Sequence, residues 1–167
     1  MSLIDPNTLP YRPCVGIVLL NAEGRIWFGR RFEDLVSQEY QLRWQMPQGG
    51  IDKGEDPKVA ALRELYEETG VSSARIIAES KGWIQYDLPP EAVGKAMKGK
   101  FRGQEQKWFA MRFTGDEREI NLTLEGHKPE FDAWRWATAG EVLDEIVAFK
   151  REAYRAVIAE FRPLLVP

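Results

Sequence analysis

A chain of 167 residues and 19.2 kDa suits a single core, and 44% apolar residues, with six Trp, five Tyr and eight Phe, supply it. The balance of 23 Lys+Arg against 26 Asp+Glu, a formal −3, excludes a histone-like polybasic binder of nucleic acid while leaving room for a local basic patch. A single cysteine, Cys14, and a single histidine, His127, exclude an intramolecular disulfide framework, a Cys-rich zinc module and a His-based zinc enzyme. The first residues show neither a basic nor an apolar leader segment. Val15–Leu20 is the longest aliphatic stretch, far short of the roughly 20 residues a membrane span needs. No membrane contact is expected, and the lone thiol fits a reducing cytoplasm.

Pro6, Pro10 and Pro13 discourage regular structure, so residues 1–12 read as an arm. Cys14–Leu20 reads as a buried strand, Asn21-Ala-Glu-Gly24 as a turn and Arg25–Arg31 as its hairpin partner. A polar stretch, Glu33–Arg43, leads to Trp44-Gln-Met-Pro-Gln-Gly-Gly50. Gly49–Gly54 carries three glycines in six residues and reads as a tight loop. Asp56 and Pro57 have the chemistry of an N-cap and a first helical residue, with a helix to Thr69 ended by Gly70. Strand-like pieces follow at Arg75–Glu79 and Trp83–Leu88. A Pro/Gly/Lys-rich insertion, Pro89–Gly103, precedes a strand over Gln106–Phe113. Asp132–Trp136 alternates as a strand does, and Ala139–Leu165 carries helical spacing with a break near Phe149. No repeat or linker appears. The interleaving lacks a steady βαβ rhythm, which favours a mixed α/β sandwich over a doubly wound fold.

On the helix, Glu64, Glu67 and Glu68 fall within about a 100° arc, and Val59, Leu62, Leu65 and Tyr66 are expected on the opposite, sheet-facing side. Like charges at this spacing cost roughly 0.2–0.5 kcal/mol per pair. Three carboxylates beside a glycine loop suit a hard divalent cation, with a solvated acidic face as the plainer alternative. Glu55 stands where it would close such a site, and Arg63 can pair with Glu67 one turn on. Without a reactive Cys or His pair, a carboxylate is the natural proton acceptor. Cys14, in an apolar strand, reads as inert core, and His127 as a loop side chain.

Gly49, five residues, Glu55, seven residues and then Arg63-Glu64-Leu65-Tyr66-Glu67-Glu68-Thr69-Gly70-Val71 resembles the Nudix box at every defined position. The resemblance implies a Nudix hydrolase with an α/β/α sandwich around a mixed sheet. It implies Mg2+ or Mn2+ held by Glu64, Glu67 and Glu68, with the Gly49 carbonyl as a further ligand. Tyr11-Arg12-Pro13, Trp44–Gly50, Gly103–Phe109, Pro129–Trp136 and Val147–Arg151 are similar to the bacterial RNA 5′-pyrophosphohydrolase group and its relatives, the dinucleoside polyphosphate hydrolases.

That similarity spans about residues 11–160, making residues 1–167 a single domain with 1–10 as an N-terminal arm. Carried over, it makes Glu130 a further metal-binding or catalytic acid, with Glu67 and Glu130 both candidates for the base and Arg63 part of the catalytic set. It makes Arg31 and Phe149 the sandwich for the first base of an RNA, Tyr86, Val147 and Lys150 their neighbours, and Arg12 a phosphate contact. The implied substrate is 5′-triphosphorylated RNA, trimmed to a monophosphate in mRNA decay, with a dinucleoside polyphosphate such as diadenosine tetraphosphate as the alternative. A monomer is expected, and any protein partner is left open. Lys95, Lys98, Lys100 and Arg102 form a basic run that reads either as a solvated loop or as a guide for the RNA backbone.

Overall fold

The computed structural model describes residues 5–33 and 42–167. Most of the polar stretch Glu33–Arg43 therefore lies outside the described residues. Eight strands form one mixed sheet: β1 (Tyr11–Leu20), β2 (Ile26–Arg31), β3 (Trp44–Gln45), β4 (Gln48–Gly50), β5 (Ala74–Glu79), β6 (Ile84–Asp87), β7 (Gly103–Phe113) and β8 (Phe131–Ala137). The main path runs β3-β2-β1-β7-β5, with β4 on β1, β6 on β7 and β8 on β2. Only the β1–β7 pair is parallel among these ladders, in register from Tyr11↔Gly103 to Leu20↔Arg112. The expected mixed sheet is thus the one observed.

Over Val15–Leu20 and Trp108–Met111 the two central strands are apolar on both faces, as strands covered on two sides must be. Val15, Ile17 and Leu19 of β1, with Phe109 and Met111 of β7, pack against Ala60, Ala61 and Leu65 of α1 (Pro57–Thr69). The alternate residues Val18, Leu20, Trp108 and Ala110 pack against α2 (Ala139–Glu145) and α3 (Arg151–Phe161), through Val142, Tyr154, Val157, Ile158 and Phe161. Gly16 lies under the Trp108 indole, where a Cβ would come within 2.5 Å of the ring. The helices α2 and α3 are separated by a short 3-10 turn, Ala148–Lys150, where the sequence places its break.

The turn at Asn21–Gly24 is built as its residues require. Asn21 Oδ1 accepts from the N–H groups of Glu23 and Arg25, and Gly24 takes a left-handed φ of 82°. The ends of α1 also match their chemistry, with Asp56 accepting from Lys58 N and Gly70 at φ 75°.

Four expectations are corrected. The first strand begins at Tyr11, inside the expected arm, because a neighbouring parallel strand is available to carry it: β7 likewise begins at Gly103, three residues before the expected Gln106. Pro13 is tolerated there because its carbonyl accepts from Ile51 N while no N–H is required of it. Gly49 and Gly50 belong to a short strand paired with β1, and only Gly54 in that stretch adopts a left-handed φ. Finally, α1 is rotated from the expected orientation. Val59, Leu62 and Tyr66 are exposed, and the packed stripe is Ala60, Ala61, Leu65 and Thr69, flanked by the half-buried Glu64 and Glu68. Small residues at 60 and 61 let the helix lie close to the sheet and carry those two carboxylates against β4.

This rotation has a direct test. Leu65→Ala is expected to lower unfolding stability by about 2–5 kcal/mol, whereas Leu62→Ala changes it by only about 0.5 kcal/mol, as read by denaturant unfolding. Equal losses would restore the original face.

Candidate active site

A cleft of about 570 Å3 opens beside the N-terminal half of β1, between the carboxylate edge of α1 and the 3-10 turn before α3. Its lining includes ten of the twelve candidate residues: Arg12, Arg31, Gly49, Glu64, Glu68, Tyr86, Glu130, Val147, Phe149 and Lys150. Arg63 and Glu67 do not line it.

At the acidic end, the contact between α1 and β4 is set by the absence of a side chain. A Cβ on Gly49 would fall 2.0 Å from Cδ of Glu64 and within 2.4 Å of both its carboxylate oxygens. Glycine is needed here for close approach rather than for a turn. The backbone N–H of Gln48 donates to Glu68 Oε2 at 3.2 Å. Burial pushes the Glu64 carboxyl up to about 6 against the pull of Arg63. Glu68 is raised well above the usual carboxylate range, by burial first and then by the like charges of Glu130 and Glu64.

Arg63 organises the outer side of this group. Its Nε and Nη2 make a two-pronged contact with Glu55, each at 2.8 Å, and Nη2 also donates to the Gly50 carbonyl at 2.9 Å. Nη1 reaches Glu64 at 2.9 Å and Glu67 at 3.3 Å. The paired guanidinium holds Glu55 down to about 2. Arg63 thus meets Glu67 as the helical spacing suggests, but its principal partner is Glu55, which is thereby occupied rather than free to close a cation site.

Among the described residues, no group of three His, Cys, Asp or Glu side chains is drawn together closely enough to hold a metal ion. Arg63 accounts for part of this, since it turns Glu64 and Glu67 toward its own guanidinium. The donor set nevertheless fits a hard divalent cation. It consists of oxygen ligands, and the mutual repulsion of Glu64, Glu68 and Glu130 is the charge imbalance a cation relieves. On the far side, Glu130 accepts from Arg31 Nε at 3.1 Å.

The opposite end is aromatic. Tyr86 and Phe149 lie 5.8 Å apart, tilted by 47°. Lys150 Nζ sits over both rings, at 5.6 and 5.8 Å from their centroids, and donates to Gln45 Oε1 at 3.0 Å. Burial, with the nearby positive charge of Arg31, pushes the Lys150 ammonium down to about 7. Cys14 is buried, and that burial pushes its thiol up to about 11, consistent with an inert core residue.

Several lining residues carried no assigned role in the sequence: Gln45, Gln48, Gln104 and, from the Pro89–Gly103 insertion, Ala92, Ala96 and Met97. The signal for Gln104 is the alternation Gln104, Gln106, Trp108, which puts amides and an indole on one strand face, whereas Gln45 and Gln48 lie on other strands and have no such signal. The insertion residues have no signal of this kind.

The NUDIX domain matches residues 10–157, and the chain belongs to that family. It is 56% identical over 168 residues to the RNA pyrophosphohydrolase of Brucella ovis, covering 98% of this chain and 94% of that protein. The RNA pyrophosphohydrolase of Brucella abortus is 55% identical over the same span, with the same coverage. Among solved structures, the dihydroneopterin triphosphate pyrophosphohydrolase of E. coli shares the fold with a TM-score of 0.65 at 18% identity, over 90% of this chain and 99% of that one. A binary complex of C. elegans Ap4A hydrolase gives 0.60 at 18% identity, over 91% and 98%.

The glycine seat yields a prediction. Gly49→Ala must displace the Glu64 carboxylate, and misplacement on the ångström scale is expected to cost about 10²-fold in kcat with the circular dichroism spectrum unchanged. Retained turnover would show that the Gly49–Glu64 contact is not used.

Proposed function

We propose that the chain is a Nudix pyrophosphohydrolase that removes pyrophosphate from the 5′ end of triphosphorylated RNA, leaving a 5′-monophosphate and so promoting mRNA decay. The observation that carries this reading is the cleft itself, which has half-buried carboxylates at one end and stacking surfaces at the other. Identity of 55–56% over nearly the whole chain to RNA pyrophosphohydrolases supports the same substrate. The Ap4A hydrolase likeness is one of fold, and nothing in the cleft favours a second nucleoside over an RNA chain. A dinucleoside polyphosphate therefore stands as the second substrate.

In this reading Glu64, Glu67 and Glu68, with the Gly49 carbonyl and Glu130, hold divalent ions, Mg2+ or Mn2+. Those ions, when bound, neutralise the polyphosphate and lower the pKa of water. Glu67 or Glu130 accepts the proton as water oxygen bonds to phosphorus and a phosphoanhydride bond breaks, with pyrophosphate leaving. Arg63 is a positioning residue that ties Glu55, before α1, to Glu64 and Glu67 on the helix. Arg12 meets the phosphates. Arg31 and Phe149 flank the first base, with Tyr86, Val147 and Lys150 shaping the pocket around it. Stacking of this kind accepts any base and contributes about 1–3 kcal/mol. Such a substrate puts the enzyme in the cytoplasm, where it acts as a monomer. No described helix is long and apolar enough to cross a membrane.

Release of pyrophosphate from a short 5′-triphosphorylated RNA, stopped by chelator, is the expected result. Glu67→Gln is expected to abolish it with the fold intact. Phe149→Ala is expected to lower kcat/KM on RNA by roughly 5- to 150-fold, the span of one stacking contact. Turnover indifferent to chelator, or a dinucleotide hydrolysed with greater efficiency than the RNA, overturns the assignment.

A further inference from the structure

Along β7, Gln104, Gln106 and Trp108 recur at every second residue, the period that puts side chains on one face of a strand. All three are buried, at 5%, 1% and 0% exposure. Amides in such surroundings persist when bonded, and these are bonded in one direction only. Trp108 Nε1 carries a proton to give and no lone pair to offer. The Gln106 atom 3.0 Å from it is therefore the carbonyl oxygen. The Gln106 NH2 then reaches Gln48 Oε1 at 2.9 Å and Gln104 Oε1 at 2.8 Å. With those oxygens engaged, Gln48 and Gln104 have their NH2 groups left for other partners.

Both residues line the cleft. The Gln104 NH2 meets Met97 Sδ at 3.7 Å, and a thioether is a weak acceptor. The Gln48 NH2 donates to no acceptor among the described residues. Gln48 adjoins the acidic end through Gly49 and through its N–H bond to Glu68. Gln104 is in register with Arg12 on one side and Tyr86 on the other. The two amides thus stand between the carboxylates and the aromatic pocket.

We propose that the side-chain amides of Gln48 and Gln104 form a donor subsite for oxygens of the RNA phosphate nearest the first ribose, with their polarity set from the core by Trp108 through Gln106. The proposal rests on the RNA 5′-end reading and deepens it, since that phosphate is the one lying between the reacting anhydride and the stacked base. Neutral donors bind an anionic oxygen with a charge-assisted hydrogen bond. They do so without placing another cation beside the divalent ions.

The test compares an oligonucleotide bearing a 5′-monophosphate with the same sequence bearing a 5′-hydroxyl, bound to the full chain and followed by fluorescence anisotropy in chelator. The wild-type protein is expected to bind the phosphorylated RNA roughly tenfold or more tightly. Gln48→Met and Gln104→Met, close in shape and uncharged, are expected to cut that preference about fivefold each while leaving the affinity for 5′-hydroxyl RNA within about twofold. With its carboxyl ionised, at a pH held well above neutrality, Gln106→Glu only accepts, so it draws both NH2 groups inward, turns both carbonyl oxygens to the cleft and erases the preference. The proposal is overturned if the two Met variants keep the preference, even where Gln106→Glu loses it, because the loss is then an effect of added charge. It is equally overturned if the variants weaken both RNAs alike, the signature of a structural role, or if the wild-type protein shows no preference while still releasing pyrophosphate from triphosphorylated RNA. Failure of the wild-type protein to release pyrophosphate at all overturns the functional reading instead.

Discussion

Two carboxylates, Glu64 and Glu68, are pressed into the seam between α1 and β4, and much of the surrounding structure exists to make that burial tolerable. A carboxylate taken out of water without partners is costly, and two near each other are more so. The fold answers with specific neighbours: a β4 backbone lacking a side chain at Gly49, the Gln48 N–H on Glu68, and the Arg63 guanidinium on Glu64. Both carboxyls are still raised above their ordinary range, by burial first and then by like charge, from Glu67 on Glu64 and from Glu130 and Glu64 on Glu68. The residual imbalance is the electrostatic basis for expecting a cation there.

The same requirement explains the rotation of α1. A helix turned to bury its largest apolar side chains would have set Val59, Leu62 and Tyr66 on the sheet and carried the glutamates into solvent. Instead Ala60 and Ala61 make the close contact, and the helix leaves apolar area exposed at 59, 62 and 66. Hydrophobic burial at roughly 25 cal/mol per Å2 favours the opposite choice. Here the approach of Glu64 to Gly49 takes precedence, so a single close contact overrides the local apolar pattern.

This conflict marks where the sequence was readable and where it was not. The caps of α1, the Asn21–Gly24 turn and the break before α3 follow from local chemistry, and each lies where Asp56, Gly70, Asn21 and the Phe149 region place it. The Nudix box reads clearly because its spacing is one of residue types within a single continuous stretch, Gly49–Val71, most of whose defined positions fall on α1. The strand identity of Gly49–Gly50 and the early start of β1 depend on residues far away in sequence, whereas the partners of Arg63 are near in sequence and are set by how the chain before α1 folds back on the helix. Glu55 gave no local sign that both its oxygens belong to Arg63. The glutamine chain is intermediate. Its alternation on β7 was visible, but its meaning depended on Gln48, 58 positions from Gln106.

The cleft also shows how a chain with a formal charge of −3 can hold a polyanion. Its cationic groups are largely committed to other work. Arg31 pairs with Glu130, Arg43 pairs with Asp132, and Lys150, pushed down to about 7, is bonded to Gln45 and covered by two rings. Simple cation density is therefore a poor account of recognition here. Oriented dipoles supply attraction without net charge, and their orientation is inexpensive to maintain when it is inherited from a buried indole. Such an arrangement distinguishes a phosphate by geometry and polarity. It leaves the neutralisation of the reacting phosphates to whatever cations the carboxylates gather.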